Sequence, residues 1–213
     1  MIWVGRLILI AVILQTIEYY WTPFYPTRRW IQKCDRFVLA LRMVAAIFAF
    51  FDPTQVEVAL MLLTTWVIAM RWRGTFNGGS DIMTFHILGA WLVSLCFPGL
   101  ERACTYSIAI QIVLSNLIAG ASKSAKRDWR DGTALHVLMQ RYGYQLGPAS
   151  ARALSWVTLL FEVSFPLAVI APLPFLIAGM LFHLVNAYAM GLNRFFFVWL
   201  AGYPALLALS LTR

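Results

Sequence analysis

This chain has little charge. Only 12% of its 213 residues are Asp, Glu, Lys or Arg, against roughly 25% in soluble domains. Acids are scarcest, at 9 against 17 Lys and Arg. A chain that is 61% apolar, with a mean hydropathy of +0.74, cannot hide its apolar surface in one soluble core and needs lipid as its solvent. Cysteine is scarce too: Cys34, Cys96 and Cys104 are too few and scattered for a disulfide framework. No CxxC occurs, which argues against a thiol oxidoreductase or a zinc site, and no metal is expected. Cys96 and Cys104 bracket one short connection, so they are either a bridge across it or two buried free thiols. There is no clear internal repeat, low-complexity tract, lipidation motif or soluble domain, and the alternating ten-residue strands of a transmembrane barrel are absent. Residues 1–213 read as a single membrane domain.

What is present is a series of apolar runs: Ile2–Tyr20, Phe37–Phe51, Gln55–Met70, Ile82–Phe97, Ala103–Ala121, Ala153–Pro172, Phe175–Met190 and Phe195–Leu211. Each is near the roughly 20 residues that cross a bilayer, and in lipid each must be helical, because every backbone polar group needs an internal partner. The fold expected is therefore all-α, a polytopic integral membrane bundle of about eight spans, or seven with a re-entrant segment. Phe37–Phe51 is the weakest, being brief and carrying Arg42. Ile2–Tyr20 lacks a small-residue cleavage site and ends in Glu18, Tyr19, Tyr20 and Trp21, so it reads as a retained first helix.

The +8 net charge is topogenic rather than a nucleic-acid signature. Arg28, Arg29, Lys33 and Arg36 lie in the first connection, Arg71 and Arg73 in the third, Lys123 to Arg152 in the fifth and Arg194 in the seventh; the even connections hold only Arg102. The positive-inside rule then puts the odd connections in the cytoplasm and both termini outside. Within the fifth connection, Leu135, Leu138 and Met139 are spaced for a short amphipathic helix in the interface, broken by Gly143, Gly147 and Pro148.

Polar residues at membrane depth normally point inward and pair. Arg42 and Glu162 are the obvious buried pair, fastening helices or serving a site. His183 and Asn186 lie one helical turn apart and share a face, which suggests a lined cavity. His86 alone reads as a satisfied core histidine. Lys123, at the mouth of an apolar helix and ahead of the Lys/Arg/Asp/Trp cluster ending at Gly132, is a functional-site candidate. Asn77, Gly78 and Gly79 form a turn in which Ser80 or Asp81 caps the next helix, while the diglycine also lets a backbone approach a ligand closely.

Three motifs carry a resemblance. IAGASKSAKRDWRDG, Ile118 to Gly132, sets Lys123 three residues after Gly120 with Asp128 and Trp129 following; FHLVN, Phe182 to Asn186, precedes Gly191 and Phe195; and FNGGSD spans Phe76 to Asp81. In this order, each beside an apolar run, they resemble the horizontally transferred transmembrane (HTTM) domain, best known from the vitamin K-dependent gamma-glutamyl carboxylases. That resemblance implies a bacterial multi-pass protein of the inner membrane acting on a lipophilic small molecule or a peptide. It implies a reduced, vitamin K-like quinone as cofactor, Lys123 as the base that deprotonates it, and His183 and Glu162 as catalytic partners. Desolvation favours the neutral form of an amine, the form that serves as a base. Asn77, Gly78, Gly79, Asp81, Asp128, Trp129, Asn186 and Arg42 are implied as substrate-binding, with Glu162 positioning His183 and Asn186. Two departures stand out: Gly79 replaces a histidine of the carboxylase pattern, and DW falls one residue later. Relatives of the sporulation-delaying B protein carry the same domain and assist maturation of a secreted peptide toxin. The alternative implied is thus a non-catalytic accessory protein for maturation, export or immunity of a secreted peptide, with a membrane or secreted partner.

Overall fold

A computed structural model describes residues 1–21, 29–71, 78–191 and 193–211. Every run found in the sequence is helical over most of its length. They are α1 (Ile2–Trp21), α2 (Arg29–Phe51), α3 (Gln55–Arg71), α4 (Gly78–Cys96) and α5 (Glu101–Ser124). The short α6 (Arg127–Arg130) and α7 (Thr133–Arg141) follow, then α8 (Pro148–Ser164), α9 (Pro172–Met190) and α10 (Asn193–Leu211). The protein is an all-α membrane bundle.

Among the described residues six segments are long and apolar enough to cross a bilayer, not eight. Of the two that fall short, α2 begins at Arg29, well before the apolar run, so Asp35, Arg36 and Arg42 lie within the helix. The apolar helix Gln55–Met70 is too short, since its rise of about 24 Å is less than the hydrocarbon thickness. The sixth run is not one continuous α-helix: α8 ends at Ser164 and a tighter 3-10 turn, Phe165–Val169, completes it. Pro166 has no N–H to continue the α-helical ladder.

At the centre, α1 packs along α10. Ile8, Ala11 and Val12 of α1 and Ala201, Ala205 and Leu206 of α10 are fully buried. Large apolar side chains outside this core, such as Phe48, Trp66, Val157, Leu160 and Val185, are exposed, as a lipid-facing surface requires. The end of α1 meets the starts of α4 and α10 at one end of the bundle: Arg194 Nε stands 3.4 Å from Glu18 Oε1, and Tyr19 donates to Asp81 Oδ1 at 3.1 Å. At the other end the amino terminus meets Glu101 Oε1 at 2.9 Å, and Gln55 Nε2 donates to the Leu95 carbonyl at 3.0 Å.

The connection from α5 to α8 builds a ledge at the first of these ends. Gly132, at a φ of 87°, lies against the Ala151–Arg152 backbone, whereas Gly120 lies against Glu162. The antiparallel α8 therefore overhangs the end of α5 by about 15 Å. Half-buried Leu135, Leu138 and Met139 put the expected amphipathic helix, α7, against α8. The Thr133 backbone N–H donates to Asp131 Oδ1 at 3.0 Å, and this bond holds the Asp131 carboxyl below its ordinary range. A depressed carboxyl supports the fold above its unfolded pKa, and the support is lost as pH falls through the folded value. Protection of the Thr133 amide from hydrogen exchange is therefore expected at neutral pH and should fade only as pH falls below the ordinary carboxylate range. Protection unchanged in Asp131→Ala at neutral pH would show that the carboxylate does not hold the start of α7.

All three cysteines are free thiols: Cys34 and Cys96 are exposed and Cys104 is buried.

Candidate functional site

Lys123 lies in the last turn of α5 rather than in the connection after it. Asn116, Gly120 and Lys123 repeat at helical spacing and turn one face inward, with the first two buried. On α8, Ser155, Leu159 and Glu162 form the facing stripe. The two helices close at Gly120, where an added Cβ would sit 2.8 Å from both Glu162 Cβ and the Val163 nitrogen. That approach brings the Lys123 amine onto Glu162 Oε1. Gly120→Ala is expected to push α8 outward and cost about 1–3 kcal/mol, as overpacking does. The measurement is the melting temperature, with a Lys123→Cys/Glu162→Cys crosslink expected to form more slowly in its presence. Crosslinking at an unchanged rate would show that α8 does not need this glycine.

Glu162 therefore pairs with Lys123 and not with Arg42, and it positions neither His183 nor Asn186. Arg42 lies away from the cavity, where its Nη2 donates to Gln15 Oε1 at 2.9 Å and Gln15 Nε2 donates to Thr84 Oγ1 at 2.9 Å. The pairing guessed from sequence failed because α5 adjoins α8, while α2 packs on α1 and α3.

Over the Lys123 amine lies the Trp129 ring, with its centroid 5.2 Å away, a cation–π contact. Ser155 Oγ donates to the Trp129 carbonyl, and Arg130 Nη1 caps the end of α5 through the Ser124 carbonyl at 2.6 Å. Asp128 faces outward and is exposed.

Lys123 and Glu162 open onto a cavity of about 330 Å³ that His183 and Asn186 of α9 also line. Gly79 of α4 and Phe195 and Trp199 of α10 complete that side. His183 is 3% exposed and lies in an aromatic enclosure. It is stacked on Trp199 at 5.1 Å and 26°, with Phe195 at 5.1 Å and Phe182 at 5.3 Å. Neither of its ring nitrogens has a hydrogen-bond partner, and the same holds for Glu162 Oε2 and Trp199 Nε1. Buried polar atoms are seldom left so, and these four belong to residues that line one cavity.

The structure thus brings together Lys123, Glu162, His183, Asn186, Gly79 and Trp129. It leaves Arg42, Asp81 and Asp128 outside the cavity. Gly78 opens α4, Ser80 and Asp81 lie inside its first turn rather than capping it, and Asn77 falls outside the described residues. His86 faces Ser107 across α4 and α5. Sequence reasoning missed Trp199 and Asn116. The signal for Asn116 was its spacing of seven from Lys123; for Trp199 it was the step of four from Phe195. Among the described residues no three His, Cys, Asp or Glu side chains stand close enough to hold a metal ion.

Comparison with protein-family models, characterised proteins and solved structures finds no match to this chain.

Proposed function

We propose that this protein is a membrane oxidoreductase resembling the HTTM core of the vitamin K-dependent carboxylases, in which Lys123 is the base toward a lipophilic hydroquinone. The supporting observation is the convergence of Lys123, Glu162, His183 and Asn186 on one cavity at membrane depth. Its volume of about 330 Å³ is at the lower end for small-molecule pockets, room for a ring headgroup. The residues suit such a group. His183, Glu162 and Trp199 offer unpartnered hydrogen-bonding atoms, and the aromatic faces of Phe195 and Trp199 suit a planar ring. An added Cβ on Gly79 would lie 2.6 Å from the Phe195 ring, so glycine keeps that wall thin.

The chemistry supplied by a bound hydroquinone is an acidic ring hydroxyl and a pair of electrons for dioxygen. The Lys123 amine donates a hydrogen bond to Glu162 Oε1. With that proton on Glu162 the amine is free to accept another, and Trp129 covers it from outside. His183 and Asn186 would hold a ring oxygen of that group by hydrogen bonds. The bacterial inner membrane, with the ledge on the cytoplasmic side, is the setting this reading carries.

The test is binding of oxidised and reduced quinone analogues to the purified protein, with oxygen uptake, in wild type and Lys123→Met. Saturable binding with lysine-dependent uptake is expected. Absence of binding, with the variant behaving as wild type, would overturn the reading. A second reading, a non-catalytic accessory for maturation, export or immunity of a secreted peptide, draws on the exposed run from Lys126 to Asp128 with Arg130 and Asp131, a surface open to a partner.

A further inference from the structure

One flank of α5 is polar where a lipid-facing helix surface is not. Counted in fours, Ser107, Gln111, Ser115, Ala119 and Lys123 form one stripe that winds about 40° round the helix at each step, and all five are half-buried. Beside them Ile110, Leu114 and Ile118 are exposed and apolar, as contact with hydrocarbon requires. Gln111 and Ser115 belong to the cavity wall, and Gln111 Nε2 donates to Ser115 Oγ at 3.2 Å. One turn further, Ser107 Oγ stands 3.5 Å from His86 Nε2 on α4. The helix rises about 24 Å between Ser107 and Lys123, most of the hydrocarbon core. Ser107 Oγ donates to the Cys104 carbonyl at 2.8 Å, and beyond these bonds the hydroxyl lone pairs and the Gln111 amide keep hydrogen-bonding capacity that hydrocarbon cannot meet, so lipid is a poor covering for this face.

A second observation comes from the head of the same cavity. Glu162 is 4% exposed and His183 3%, yet Glu162 Oε2 and both His183 nitrogens have no partner in the protein. Buried polar groups in that condition are ordinarily met by water.

We propose that water fills the cavity and continues along α5 past Ser115, Gln111 and Ser107 to His86, forming a hydrated half-channel through which protons move between the Lys123–Glu162 pair and the middle of the bundle. Serine hydroxyls and the glutamine amide both donate and accept hydrogen bonds, so they order a water chain without carrying charge. His86 is the titratable side chain at its inner end. The role in proton transfer rests on the reading of Lys123 as a base: a proton taken up at Nζ beneath Trp129 leaves along this face.

The test is thiol accessibility in native membranes, in a background of Cys34→Ser, Cys96→Ser and Cys104→Ala. Thiolates form in water and not in hydrocarbon, so a membrane-impermeant methanethiosulfonate should label Ser115→Cys and Ser107→Cys at least about tenfold faster than Leu114→Cys and Ile118→Cys. Adding Gln111→Leu, which blocks the middle of the face with a side chain that cannot hydrogen-bond, should drop Ser107→Cys to the lipid-facing rate and leave Ser115→Cys labelled. Equal rates at all four positions would overturn the proposal. So would labelling that stops at Ser115, or Ser107→Cys labelling indifferent to Gln111→Leu. Labelling requires no turnover. A wet face in a protein without lysine-dependent oxygen uptake would therefore defeat the catalytic reading alone, and a dry face in an active enzyme would defeat this proposal alone.

Discussion

Lys123→Met is expected to lower hydroquinone-dependent oxygen uptake by a factor of about 10²–10⁴, the contribution of a positioned general base. Analogue binding should change little, because an interaction used only in the transition state is lost from turnover and not from ground-state affinity. Methionine keeps an unbranched apolar stem near Trp129 and removes only the amine. The substitution also strips Glu162, 4% exposed, of its cation, and a buried charge without its partner destabilises a fold. A melting temperature lowered in Lys123→Met and recovered in Lys123→Met/Glu162→Gln would isolate that structural share. Turnover should stay lost in the double variant. If turnover returned with stability, Lys123 would be a counter-ion and its role as a base would be disproved.

The largest stability effect is expected at Arg42. The guanidinium is 1% exposed, bonded to Gln15, and within electrostatic range of Asp81 and Tyr19. Arg42→Met keeps the bulk and deletes one cation from a cluster that also holds Asp81, 3% exposed, and Arg194. Removing one partner from a buried charge cluster costs about 3–5 kcal/mol, whereas removing both charges can be nearly neutral. Arg42→Met should therefore unfold well below wild type in a thermal or detergent titration, and Arg42→Met/Asp81→Asn should recover most of the loss. A single variant as stable as wild type would show that Arg42 and Asp81 do not compensate each other.

The helices were legible because a segment in lipid must satisfy its own backbone, so apolar length alone marks them. Charge hid the start of α2, since hydropathy counts Asp35 and Arg36 against a span although the helix runs through them. Pro166 hid the end of α8 in the opposite way, inside an unbroken apolar run. The Lys123 end of the site and the His183–Asn186 face could be read because a cation or a polar pair beside hydrocarbon is conspicuous. Their neighbours could not. Spans that look alike in composition do not say which of them touch, so Glu162 was assigned to Arg42 although α8 lies against α5. Trp199 is one aromatic among several in its run, and only its stacking on His183 sets it apart.

The overhang of α8 past α5, with α6 and α7 packed against it, makes the molecule lopsided along its long axis. In vesicles that lopsidedness is a label of direction. A protease too large to enter will find peptide bonds near Gly143 to Gly147 in copies inserted one way and none there in copies inserted the other, so the cut fraction counts orientation without any added tag. The same asymmetry gives a binder raised against the ledge access to the protein from one compartment alone, a means of holding every copy the same way up before anything is measured across the membrane.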